Sequence, residues 1–168
     1  MCGAEVHDRI GEAWRVLDGV LDPEVPVLSV VDLGIVRDVQ WSYEHQCLDV
    51  VLTPTYSGCP ATELITDSVR EALETAGLGP VDIRLQRAPA WTTDWMSGSG
   101  RDKLKRYGIA PPGACADRQP IHLMARGVQC PRCDSPDTER LSAFGSTACK
   151  SLYRCLACRE PFEHFKPI

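Results

Sequence analysis

Two Cys-x-x-Cys pairs, Cys130-Pro131-Arg132-Cys133 and Cys155-Leu156-Ala157-Cys158, govern what the end of this chain can become. Each turn brings two thiolates toward one cation, and the 21 residues between the pairs lie close to the spacing that small tetrahedral thiolate sites use. Residues 120–168 show little helical periodicity and little apolar surface, so a metal held by all four sulfurs would take the place of a core. Four protein ligands leave no open position for chemistry, which reads the site as structural zinc in a zinc-ribbon-like module. Iron or a cluster suits the same donors, and spacing does not separate the metals.

The chain carries nine cysteines, at 2, 47, 59, 115, 130, 133, 149, 155 and 158. No run approaches the roughly 18 apolar residues that span a bilayer, and the first residues lack a basic stretch followed by an apolar one. A cytoplasmic protein is expected, in which thiols are metal ligands or reactive groups rather than disulfides. The net charge of −5 is uneven: residues 1–119 hold 11 basic and 18 acidic side chains, residues 120–168 hold 7 and 5. The basic residues of the tail are spread rather than striped, which argues against nucleic acid as the partner.

Upstream, Ile10, Ala13, Trp14, Leu17, Val20 and Leu21 recur at helical spacing, with Asp8 available as a cap and Pro23 as a stop, so residues 8–21 read as an amphipathic helix. Residues 35–41 and 47–53 alternate as strands joined by a short polar turn. Pro60 suits a first helical position, and an apolar stripe from Ala61 to Ala76 ends at Gly77. Val81–Leu85 alternates again. The expected architecture is α+β: a small mixed sheet with helices on one face in residues 1–87, an extended arm and linker in 88–119, and the four-cysteine module in 120–168.

Cys59 stands immediately before a helix start, where the dipole and free N–H groups stabilise a thiolate. Gly58 permits close approach, and Thr55, Tyr56 and Ser57 offer hydroxyls. An inert capping or packing cysteine is the competing reading, and on residue chemistry alone it is the more frequent one. Asp22, Glu24 and Asp32 put three carboxylates in one irregular stretch, equally explained by turn chemistry. Cys149 is a further thiol, read either as a small buried hydrophobe or as part of a transferable metal site, and His122 and His164 read as surface or packing residues.

Leu21-Asp22-Pro23-Glu24-Val25-Pro26, Val31-Asp32-Leu33-Gly34-Ile35-Val36 and Thr53-Pro54-Thr55-Tyr56-Ser57-Gly58-Cys59-Pro60 resemble the three signature stretches of the metal-sulfur cluster assembly factor family. Trp91-Thr92-Thr93-Asp94-Trp95-Met96, Tyr107-Gly108-Ile109-Ala110-Pro111-Pro112 and the tail through Phe144-Gly145-Ser146-Thr147-Ala148-Cys149-Lys150 are similar to its PaaD-type branch, accessory to phenylacetyl-CoA epoxidase. The resemblance implies a non-catalytic cytosolic factor that matures an iron-sulfur centre, that of the epoxidase reductase. It assigns Cys59 and Glu24 to a transient iron or iron-sulfur cluster, completed by a second subunit or partner, and Cys130, Cys133, Cys155 and Cys158 to zinc. A homodimer would supply such added ligands. A structural subunit of the oxygenase and a thiol enzyme using Cys59 are the alternatives; the second lacks a neighbouring base in residues 54–65.

Overall fold

The computed structural model describes residues 3–56, 61–113 and 128–168, with residues 3 and 4 as backbone alone. The chain divides into two compact units, one comprising residues 1–91 and 95–97 and the other 92–94 and 98–168.

The first unit begins with α1 (Gly3–Leu17), followed by β1 (Val36–Ser42), β2 (Cys47–Leu52), α2 (Ala61–Thr75) and β3 (Val81–Leu85). Its sheet has the order β1-β2-β3, antiparallel between the first pair and parallel between the second. The expected α+β architecture is therefore present. The small mixed sheet turns Leu48, Val50 and Leu52 of β2 toward the helices, which bury Ala13, Leu17, Ile65, Val69 and Leu73. A bulge between Val36 and Asp38 lets Val36 and Val39 both face inward and leaves Arg37 as the extra residue.

The first helix differs from its expected bounds. It starts before Asp8, which lies inside the helix rather than capping it, and stops at Leu17. Gly19 and Val20 close onto the carbonyls of Val16 and Leu17 as a tightened turn, so Val20 joins the core from outside the helix and Leu21 stays exposed.

Gly34 has φ +67, and a Cβ there would stand 2.5 Å from the carbonyl oxygen of Trp95. Left-handed backbone alone costs a residue with a side chain about 1–2 kcal/mol, and the contact with another backbone cannot be relieved by a rotamer change. G34A is expected to destabilise the first unit by about 2–4 kcal/mol in urea denaturation. G11A, where a Cβ meets nothing within 4 Å inside α1, should instead stabilise it by roughly 0.5–1 kcal/mol. Equal effects of the two substitutions would refute this reading of Gly34.

The second unit contains α3 (Gly98–Tyr107), β4 (Ile109–Ala110), β5 (Thr138–Ser142), β6 (Lys150–Cys155) and β7 (Pro161–Phe165). Its sheet runs β4-β7-β6-β5, with β4 parallel to β7 and the other pairs antiparallel. Much of the stretch expected as arm and linker is thus structured. Arg101 donates to the carbonyls of Pro112 and Thr93, and Thr93 N–H donates to the carbonyl of Ile168. The boundary expected near residues 115–125 lies outside the described residues. Among the described residues no helix is long and apolar enough to cross a membrane.

Candidate metal centre

The two Cys-x-x-Cys turns adopt one local structure twice. The N–H of Cys130 donates to the carbonyl of Ser135 and that of Cys155 to Glu160, both at 3.0 Å. The residue after each second cysteine is left-handed, Asp134 at φ 57 and Arg159 at φ 66. That reversal aims the following N–H groups, of Ser135 and Glu160, at the sulfurs of Cys133 and Cys158. Cys158 N–H points likewise at Cys155 Sγ, 3.4 Å away. Arg132 and Glu160 join the two turns by an ion pair of 3.3 Å.

All four sulfurs lie within 4.8 Å of one another. Cys130 and Cys158 are 3.7 Å apart, Cys133 and Cys155 3.5 Å. A tetrahedral zinc–thiolate site, with metal–sulfur bonds of about 2.3 Å, puts its sulfurs roughly 3.8 Å apart, so the cage fits the ion. Without a cation the four thiols cannot ionise together. Donation from Cys158 N–H draws Cys155 down to about 6. At Cys133 the Ser135 N–H pulls downward but is outweighed by the neighbouring Cys155 sulfur and by desolvation, which push it up to about 12. A divalent cation is what would let all four be thiolates side by side. Cys130 and Cys155 are fully buried and form a small core with Ala110 and Phe162, while Cys133 and Cys158 reach the surface.

Cys149 is outside this group. It is 5% exposed, at the entry to β6, with Thr147 Oγ1 3.0 Å from its sulfur. His164 is buried against Tyr153, edge to ring at 5.5 Å, and burial pushes its pKa down to about 4, which makes it a neutral packing residue. His122 and Cys59 lie outside the described residues.

At the end of β2 and the first turns of α2, an apolar cleft is lined by Ile35, Leu52, Pro54, Ile65 and Leu85 together with Thr55, Thr62 and Thr66. Glu24 is half-buried in the loop after α1. The other two carboxylates of that stretch do turn chemistry. Asp22 Oδ1 accepts the N–H groups of Glu24 and Val25 at 2.9 and 2.7 Å, and Asp32 Oδ2 accepts that of Ser29 at 3.2 Å.

Sequence reasoning missed an ion pair between the buried Lys150 and the partly exposed Glu163 at 3.0 Å. Its partners lie on adjacent strands, and no local pattern announces such a pair.

A family model described as iron-sulfur cluster assembly protein matches residues 11–84, and one described as PaaD zinc beta ribbon domain matches residues 117–166. A relative from Escherichia coli strain K12, named as a putative 1,2-phenylacetyl-CoA epoxidase subunit, is 50% identical over 160 residues, which cover 95% of this chain and 94% of that one. A protein of Porphyromonas gingivalis named Fe-S protein maturation auxiliary factor is 38% identical over 84 residues, 49% of this chain and 78% of its own. The crystal structure of a domain of unknown function, DUF59, from Bacillus anthracis matches with a TM-score of 0.56 and 25% identity over 61% of this chain and 97% of that one. The chain therefore belongs to the PaaD family, joining an iron-sulfur cluster assembly domain to a zinc ribbon built on four clustered cysteines.

Proposed function

We propose that this protein is a non-catalytic cytoplasmic factor that assembles or matures an iron-sulfur centre for a phenylacetyl-CoA epoxidase, with the iron-sulfur reductase component as its client. The observation that carries the reading is the near full-length likeness to an epoxidase subunit in a chain whose first part matches an iron-sulfur assembly family. In this reading residues 1–87 handle the cargo, through the Cys59 thiolate and the Glu24 carboxylate. Residues 120–168 form a docking module held by zinc at Cys130, Cys133, Cys155 and Cys158, with 88–119 between them. One loop thiolate and one carboxylate are too few ligands for a stable cluster, so the cargo is held transiently and shared with a second copy or with the client.

The test is co-expression of the reductase with wild-type or C59A protein, followed by iron and sulfide analysis of the purified reductase. Wild type should raise its cluster content several-fold, and C59A should not. Full maturation with C59A would remove Cys59 from the mechanism. The name of the Escherichia coli relative favours a second reading, a stoichiometric structural component of the oxygenase. That reading expects co-purification at fixed ratio and indifference to C59A.

A further inference from the structure

Residues 91 and 95–97 fall outside the stretches matched by both family models, yet they complete the first unit. Trp91 is 4% exposed and its Nε1–H donates to the carbonyl of Leu33 at 2.9 Å. Trp95 lays its ring under the Arg37 guanidinium at 3.6 Å, while its backbone occupies the space where Gly34 lacks a Cβ. Ser97 grips Asp32 twice: its hydroxyl donates to Oδ1 at 2.9 Å, and its N–H to the backbone carbonyl at 2.8 Å.

Asp32 is itself 3% exposed and reaches toward the loop that carries Glu24. Its Oδ2 takes the N–H of Ser29, its own N–H donates to Ser29 Oγ at 2.9 Å, and that hydroxyl donates to Asp18 at 2.9 Å. Ser29 is wholly buried and bridges to Leu21, and Asp22 N–H closes on the carbonyl of Leu28. Ser29 and Leu21 are thus the two posts of the loop 22–28, and Asp32 fixes one of them. A carboxylate this buried is costly unless its oxygens are occupied; the Ser97 hydroxyl on Oδ1 and the Ser29 N–H on Oδ2 occupy both and keep Asp32 aimed at Ser29.

We propose that Ser97 is a positioning residue for the cargo site: it sets the loop 22–28, and with it Glu24, through Asp32 and Ser29, before iron arrives. The proposal rests on the reading that Glu24 belongs to an iron-handling site. Such a residue acts by preorganisation, and its loss loosens the group it holds without removing a ligand.

The test uses the full chain with its four-cysteine site loaded with zinc, and variants S97A and S97T. Two quantities are measured: amide hydrogen exchange of Glu24, Val25 and Leu28, and anaerobic ferrous-iron affinity at the labile site. S97A is expected to speed exchange of those amides at least tenfold, with α2 and β2 unchanged, and to weaken iron binding about tenfold. S97T, which keeps the hydroxyl, should restore both. Unchanged exchange in S97A overturns the inference whatever the iron does. Faster exchange with undiminished iron affinity confines Ser97 to a structural role and also overturns it. A wild-type chain that takes up no ferrous iron beyond the zinc site sinks the functional reading instead.

Discussion

Stripping the metal from the full chain with a high-affinity chelator is expected to unfold the ribbon strands of the second unit while leaving the helices and sheet of residues 5–85 folded. The magnitude decides this. Binding of structural zinc to four thiolates is worth roughly 10–16 kcal/mol at neutral pH, comparable with or above the whole stability of a small domain. Against it stands a core in which two of the four central residues, Cys130 and Cys155, are themselves ligands, leaving Ala110 and Phe162 with flanking Val128 and Tyr153. Without the ion, two buried sulfurs lose their cation and the turns at 130–135 and 155–160 rest on a few backbone bonds, Cys130 N–H to Ser135, Asp134 N–H to Cys130 and Cys155 N–H to Glu160. Because the ligands must be deprotonated, acid should have the same effect as chelator, and added zinc at neutral pH should reverse both. The check is residue-resolved amide exchange or NMR dispersion for β5 to β7 before and after chelation. Native protection of those strands in protein shown to hold no zinc or iron would refute the account. C130A should reproduce the chelated state even in excess metal, since it removes a ligand that is also a core residue.

What could be read beforehand follows the range of the interactions. The helix, two strands, helix and strand of the first unit were legible because their apolar periodicity is local, and the four cysteines because ligand spacing is local chemistry. The bounds of α1 were not, since Asp8 looks like a cap while Glu5 and the buried Val6 extend the helix past it. Trp91 and Ser97 read as an arm because their partners, Leu33 and Asp32, stand 58 and 65 residues away. The ribbon strands were hidden for a different reason. Their inward residues are Lys150, Ser151 and Cys155 on β6 and Phe162, His164 and Phe165 on β7 rather than alternating aliphatics, and β5 has no buried residue at all. The carboxylates of Asp22 and Asp32 carried both a functional and a turn reading in sequence, and the N–H groups they accept decide for the turn.

Replacing Glu163 by glutamine is expected to cost the second unit about 3 kcal/mol, although no metal ligand is touched. Lys150 is only 4% exposed, and Glu163 Oε2 is its ion-pair partner at 3.0 Å. Burial raises the Glu163 carboxyl, but the N–H of Ser146 and the Lys150 ammonium outweigh it and hold the group below the usual carboxylate range. The sign follows: the contribution is present at neutral pH and is lost only in acid, as pH falls below the ordinary carboxylate range through the depressed pKa. Glu163 is partly exposed but Lys150 is buried, so removing the carboxylate strands the ammonium, which is why a single substitution costs more than the pair is worth. K150M/E163Q, with neither charge, should return to within about 1 kcal/mol of wild type. The pair also shapes a surface. Glu163 Oε1 accepts Ser146 N–H at 2.5 Å and fills the space where Gly145 lacks a Cβ, so it pins the loop that leaves Phe144 66% exposed beneath the Lys166 ammonium. In E163Q the exchange of Gly145 and Ser146 amides should rise along with the loss of stability, and in the double variant the stability should recover while that loop stays loose. Urea denaturation of zinc-saturated protein checks the first part; a loss below about 0.5 kcal/mol in E163Q would mean that Lys150 finds water or another acceptor, and that the pair is not what holds this corner of the ribbon together.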